Sequence, residues 1–135
     1  MLNALHAILS LLVPTAVVGG GASATSTATT LDNLQAAFNG ESNANAHYLA
    51  FAQRADEEGY GEVASLFRAA AKAEEIHAHN HAAVIRQMGD VPVAHVEPAR
   101  LKTTRENLKV AIAGEAYERD VMYPEFVEVA KRQKA

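Results

Sequence analysis

The stretch from Ala73 to Gly89, AEEIHAHNHAAVIRQMG, carries a carboxylate and an imidazole on the apolar side of a predicted helix. Glu74 and His77 are three residues apart, a spacing that places both side chains on one helix face. A buried carboxylate costs free energy unless it is paired with another charge or bound to a metal. The type and spacing of these two residues therefore indicate metal-binding chemistry.

Acidic residues interrupt two further apolar stripes in the same way. Glu41 follows Phe38 at helical spacing, and Glu115 and Glu118 lie between Ile112 and Met122. Several carboxylates facing one core would repel one another as anions, and bound cations would remove that repulsion. Carboxylate oxygen combined with imidazole nitrogen suits iron or manganese, and also zinc. Glu-x-x-His is the ligand spacing of di-iron carboxylate bundles.

The alternative is that each acid lies solvated at the edge of its stripe in an alanine-rich helix. Glu-x-x-His alone is a weak motif, because it arises often by chance. The same anomaly in three helices favours the metal site. His79 points off the stripe and is expected to be solvated. His81, one turn beyond His77, is expected to be a buried histidine with its ring hydrogen-bonded, or a residue that contacts the ligands.

Three helices should position these residues, and no strand pattern is present. The first is predicted from Leu31 to Glu58 with Thr30 as N-cap, and the second from Glu62 to Met88. The third begins with a capping box at Thr103 and runs to about Arg132, with a kink at Pro124. Two prolines between the second and third helices predict an extended connection. The apolar residues expected to face the core include Leu66, Val84, Met88 and Ile112.

Length and composition indicate one globular helical domain, residues 30–135, in a chain of 135 residues. A net charge of −4 argues against nucleic acid as a partner. The absence of cysteine excludes disulfides, thiolate nucleophiles and iron–sulfur clusters within the chain. Residues 1–29 are apolar and then rich in Gly, Ser and Thr. They suggest an export signal or a flexible extension, and no membrane span is expected.

Two longer stretches resemble rubrerythrins, which are ferritin-like di-iron proteins. These stretches are AAFNGESNANAHYLAFAQRADEEGYGEVASLFRAAAKAEEIHAHNH and ENLKVAIAGEAYERDVMYP. The sequence NLQAAFNGE at 33–41 has a similar counterpart, NLKVAIAGE, at 107–115. This repeat resembles the internal duplication of that family. The resemblance covers about residues 30–132. It implies an all-α, antiparallel ferritin-like helix bundle that binds two iron ions.

The resemblance also implies roles for individual residues. Glu41, Glu74, His77 and Glu115 match metal ligands. Glu118 matches the additional glutamate that exchanges with the histidine, here His77, as iron changes oxidation state, which makes these two the expected catalytic residues. The tyrosines that hydrogen-bond the ligand carboxylates are matched by Tyr48 and Tyr123, for which ordinary core tyrosines remain the alternative.

Two departures from the family pattern are expected to matter. The family's rubredoxin-like Cys₄ iron domain is absent, so electrons should come from a separate protein. The fourth bundle helix, with a second Glu-x-x-His, is not found before residue 135. A partner chain is expected to compensate, which favours a homodimer.

The function implied by the resemblance is a non-haem di-iron peroxidase that reduces hydrogen peroxide to water in the cytoplasm. Export is the alternative location, from the signal-like first residues. One alternative function is a ferroxidase or iron-storage protein of the ferritin-like class. Another is a truncated, metal-poor helical protein.

Overall fold

Two long antiparallel helices form the scaffold of the protein. A computed structural model describes residues 28–134 and contains α1 (Thr30–Glu57), α2 (Gly61–Gln87), α3 (Thr104–Tyr117), a π-helical turn (Glu118–Met122) and α4 (Tyr123–Gln133). Residues 58–60 turn the chain between α1 and α2, and Gly59 has a positive φ of 80° there. The expected all-α bundle is confirmed, and no strand is present in the described residues. The signal-like interpretation of residues 1–24 falls outside this part of the chain.

An aromatic cluster packs between α1 and α2. The rings of Phe51 and Phe67 meet edge to face at 5.4 Å, and Tyr48 packs against both. The other buried residues of α2 are mostly small, since Ala64, Ala71, Ala78 and Ala82 are buried. Small residues at these positions let two helices approach closely, and α2 packs mainly against α1.

This packing corrects part of the predicted core. Leu66 is 60% exposed and Ile112 is 66% exposed, while Val84 and Met88 are also exposed. Phe67 and Ile85 of the same predicted stripe are buried as expected. Other large apolar residues of α2 are exposed, and alanines take most of the remaining buried positions of this helix. The N-cap of α1 is Thr29 rather than Thr30, with a capping box to Asp32.

The connection between α2 and α3 runs along α1 and is held by its amide side chains. Gln35 accepts from Val93 N, Asn39 from His95 N and Asn43 from Glu97 N. Residues four apart in a helix rise about 6 Å, and residues two apart in an extended chain rise about 6.6 Å. The two spacings match, so alternate residues of the extended segment meet successive turns of α1.

Because this connection runs along α1 to its C-terminal end, α3 begins there and runs back in the opposite direction. Thr104 N donates to Glu58 at one end of α1, and Thr30 N donates to Gln133 at the other. The segment from α3 to α4 is therefore antiparallel to α1 over the whole length of that helix.

No helix among the described residues is long and apolar enough to cross a membrane.

Candidate metal centre

The centre is built on facing turns of α1 and α2. Glu41 is 2% exposed and Glu74 is 4% exposed, although both carry carboxylates. His77 lies one helical turn beyond Glu74, and its Nδ1 is 2.9 Å from Glu74 Oε2. Glu41, Glu74 and His77 each offer one ligand atom, and these atoms lie within 4.8 Å of one another. This grouping is compact enough for one metal ion to contact all three side chains.

One side of the centre is open. The side chain of His77 is 52% exposed, so its ring lies at the boundary between the hairpin and solvent. A cavity of about 360 Å³ begins there, and all five predicted ligands line it. Asn80, His81, Arg119 and Tyr123 complete its wall. The cavity has room for metal ions together with a molecule as small as peroxide.

Glu115 and Glu118 approach from the third helical segment. Glu115 Oε1 accepts a 2.6 Å hydrogen bond from the Tyr48 hydroxyl, which fixes that carboxylate against α1. Glu115 is otherwise exposed, whereas Glu118 is half-buried. Both residues are predicted from the sequence to lie on an inward face. The structure places them on the wall of one cavity, with Glu115 at its open side.

A π-helical turn places the side chain of Tyr123 on the same cavity as that of Glu118. The backbone N–H of Tyr123 donates to the carbonyl of Glu118, five residues earlier. Residues five apart in an α-helix point about 140° away from each other. The wider turn instead brings both side chains to the cavity. A kink is predicted at Pro124, which lies at the start of α4. The departure from regular α-helix near this proline is the π-helical turn that precedes α4.

Tyr123 joins this segment to α1. Its hydroxyl donates to Glu41 Oε1, and His81 Nε2 lies 3.2 Å from the same hydroxyl. The rings of His81 and Tyr123 stack with centroids 6.1 Å apart. From the sequence, His81 is expected to be either an ordinary buried histidine or a residue that contacts the ligands. The signal for the second was its position one turn beyond His77.

The carboxylates have strongly different affinities for protons. Burial raises the pKa of Glu41, but contacts with His81, Glu74 and Tyr123 outweigh this effect and lower it to about 2. Burial and the neighbouring Glu41 carboxylate raise the pKa of Glu74 to about 9. Burial, with the charges of Glu41 and Glu115, raises the pKa of Glu118 to about 7. The cluster therefore holds protons at neutral pH that a cation would displace.

The residues present fit a metal on physical grounds. Glu41 Oε2 is buried and, when Glu74 is ionised, has no hydrogen-bond partner. A buried acceptor without a partner is costly, and a cation removes that cost. The surrounding donors are carboxylate oxygens and an imidazole nitrogen, which suit iron, manganese or zinc. Glu41 and Glu74 would hold the ion together with His77, while Glu115 and Glu118 are available to a second ion.

The profile of the rubrerythrin family matches residues 32–135 of the chain. This chain belongs to the rubrerythrin family. Nigerythrin of Nitratidesulfovibrio vulgaris is 38% identical over 120 residues, which cover 82% of this chain and 55% of nigerythrin. Rubrerythrin-2 of Clostridium acetobutylicum is 36% identical over 108 residues, which cover 79% of this chain and 59% of the relative.

Solved structures agree with the sequence matches. The structure of nigerythrin in a partially reduced state superposes with a TM-score of 0.74 at 38% identity, covering 83% of this chain and 56% of nigerythrin. A fully reduced, all-ferrous nigerythrin also superposes with a TM-score of 0.74. The expected ferritin-like, rubrerythrin-type fold is confirmed. The chain spans little more than half the length of the curated relatives that it matches.

We expect the metal-free protein to lose stability as the pH rises from about 5.5 to about 8.5. The pKa values of Glu74 and Glu118 are raised in the folded state, so their stabilising contribution is complete below the unfolded value of 4.5. It is lost as the pH passes about 7 for Glu118 and about 9 for Glu74. The lowered pKa of Glu41 acts only below 4.5. Glu74 alone changes the free energy of unfolding by at most about 1.4 kcal/mol per pH unit.

Thermal melts of chelator-treated protein at the two pH values measure this change. Glu74→Gln should flatten the dependence, because the titrating carboxyl is gone. Glu75→Gln is the matched control on the exposed side of α2 and should keep the wild-type slope. A wild-type protein whose melting temperature is higher at about pH 8.5 would contradict this account of the cluster.

Proposed function

We propose that residues 30–135 form the di-iron domain of an oxidoreductase that reduces hydrogen peroxide to water. The observation that carries the proposal is the convergence of Glu41, Glu74 and His77 within 4.8 Å, beside Glu115 and Glu118 on the same cavity. Membership of the rubrerythrin family supports it further. We propose an electron donor outside residues 30–135, since these residues contain no cysteine to hold a rubredoxin-like iron.

Iron bound here supplies the redox chemistry, in which peroxide takes two electrons and two protons to give two waters. The protein residues hold the site, fix the orientation of its carboxylates and determine where peroxide can enter. Buried Glu41 and Glu74 hold the inner side of the site, and Tyr48 and Tyr123 fix two of its carboxylates by donating hydrogen bonds. Peroxide is admitted at the open side, where the His77 ring borders solvent.

His77 and Glu118 are proposed to act as the exchanging pair of the family. His77 is the most exposed member of the compact group, so its departure would disrupt few contacts. Glu118 lies on the wall of the same cavity but outside that group. Its raised pKa keeps part of the population protonated near neutral pH when no cation is bound. A glutamate in this position can change between a neutral and a ligating form.

Removal of individual side chains tests these roles. We expect Glu74→Ala and His77→Ala each to lower iron affinity by at least about tenfold while the helical content is retained. Glu118→Ala should keep most of the iron and lower the peroxidase kcat by at least about tenfold, or about 1.4 kcal/mol in the barrier. Iron per chain and steady-state peroxide consumption with an artificial electron donor measure the two effects.

Glu75→Ala and His79→Ala are matched controls, because both residues are exposed on the same helix. Unchanged iron content in both Glu74→Ala and His77→Ala would contradict the metal assignment. Accumulation of many iron ions per chain without repeated peroxide turnover would instead support an iron-storage protein.

We also propose a homodimer in which the partner covers the open side of the site. Exposed apolar residues flank that side, with Ile112 one turn before Glu115 and Val84 about two turns beyond His77. One arrangement pairs the α1/α2 hairpins of two chains. It brings together two copies of Glu41 and two of the Glu74/His77 pair, a complete di-iron ligand set. The other arrangement keeps Glu115 as a ligand within each chain.

Sedimentation of the iron-loaded protein tests the dimer, and Glu115→Ala separates its two arrangements. Iron retained by a dimeric Glu115→Ala variant supports the symmetric site. Iron lost from that variant supports the arrangement within each chain. A stable iron-loaded monomer would contradict both dimeric versions.

A further inference from the structure

We infer that His81 is a positioning residue, whose ring donates a hydrogen bond to Tyr123 and thereby directs the Tyr123 hydroxyl toward Glu41. The inference deepens the proposed function, on which its role toward the metal rests. It concerns a histidine that is not one of the predicted ligands and whose role the sequence left open. The geometry that carries it involves one side chain from each of α1, α2 and α4.

The direction of the hydrogen bonds follows from counting protons. A tyrosine hydroxyl has one proton to donate. Tyr123 gives that proton to Glu41 Oε1, because an ionised carboxylate can only accept. The tyrosine oxygen can then only accept from His81 Nε2, which lies 3.2 Å away. A neutral His81 must therefore carry its proton on Nε2.

Distances separate this indirect role from a direct one. His81 Nε2 is 3.8 Å from Glu41 Oε1, which is too long for a hydrogen bond. The contact with Tyr123 is shorter and is supported by ring stacking at an interplanar angle of 18°. Phe126 also packs edge to face against the tyrosine ring, with centroids 6.1 Å apart. Tyr123 thus packs against two rings, and of these two residues His81 is the one that also makes a polar contact with its hydroxyl.

The two carboxylate oxygens of Glu41 therefore have different roles. Oε1 accepts from Tyr123, while Oε2 is buried and, when Glu74 is ionised, has no hydrogen-bond partner. A carboxylate held in this way cannot rotate freely, so Oε2 remains directed to one place. The raised pKa of Tyr123, caused by burial and then by Glu41, keeps the hydroxyl protonated as a donor. Hydrogen bonds of this kind behind a metal ligand typically change metal affinity by about 10- to 100-fold.

The first test uses the metal-free protein and does not depend on iron binding. Multiple-bond ¹H–¹⁵N NMR at about pH 8 reports which ring nitrogen of each histidine carries the proton. We expect the Nε2–H tautomer at His81, and its signals should change in Tyr123→Phe. A predominant Nδ1–H tautomer at His81 would overturn the inference.

The second test is a double-mutant cycle on iron affinity, measured by competition with a chelator. We expect His81→Leu and Tyr123→Phe each to weaken iron binding by about tenfold, and the double variant to lose no more than Tyr123→Phe alone. His81→Gln should recover much of the loss, because its amide can donate. His79→Leu, an exposed substitution two residues away, is the matched control and should bind iron like the wild type.

Two results of the cycle would overturn the positioning role. One is wild-type iron affinity in His81→Leu, and the other is additive losses in the double variant, which would make His81 act independently of Tyr123. Circular dichroism of each variant confirms that the helices are retained. A wild-type chain that binds no iron at all would contradict the proposed function, and the tautomer measurement would then still decide the hydrogen-bond direction at His81.

Discussion

The structure depends on two carboxylates buried face to face between two helices. Glu41 and Glu74 are almost fully enclosed, in a hairpin whose other buried residues are mainly alanine and aromatic. Burial opposes the ionisation of both groups, and the proximity of one raises the pKa of the other. An arrangement of this kind is costly for the folded chain alone and becomes favourable with a cation. Every other feature of the site either supports these two side chains or leaves access to them.

The surrounding architecture holds the third helical segment in register with α1. Tyr48 donates to Glu115, Tyr123 to Glu41 and Thr30 to Gln133, so contacts advance in opposite directions along the two segments. The amide side chains that hold the extended connection determine where α3 begins. The π-helical turn then rotates Tyr123 onto the face of Glu118. Secondary structure that departs from the regular α-helix thus lies where the site requires it.

Much of this arrangement was accessible from the sequence. Periodicity predicted three helical segments close to their true limits. The acids that interrupt apolar stripes, Glu41, Glu74, Glu115 and Glu118, all line the cavity. Residue type was less informative about which face is buried. Leu66 and Val84 were expected inside and are exposed, because the α1/α2 interface is built mainly from alanines and aromatic residues. Ile112, on α3, was also expected inside and is exposed. Intervals of three and four residues cannot identify the neighbouring helix that a stripe faces.

Other features had no clear sequence signal. The π-helical turn depends on a backbone hydrogen bond across five residues, and Pro124 was its only local indication. The pairing of Gln35, Asn39 and Asn43 with the extended connection requires knowledge of which segment passes beside them. His81 could be placed near the site by spacing, but its contact with Tyr123 joins residues 42 positions apart. Such contacts follow from the fold and not from local composition.

Anomalous diffraction at the iron absorption edge, from crystals of the iron-loaded protein, tests the central claim most directly. The account predicts an iron peak in the cavity, bonded to Glu41 Oε2, Glu74 and His77. It would be contradicted by crystals that contain iron but show no peak between Glu41 and Glu74, or whose iron is bound only by exposed histidines such as His79.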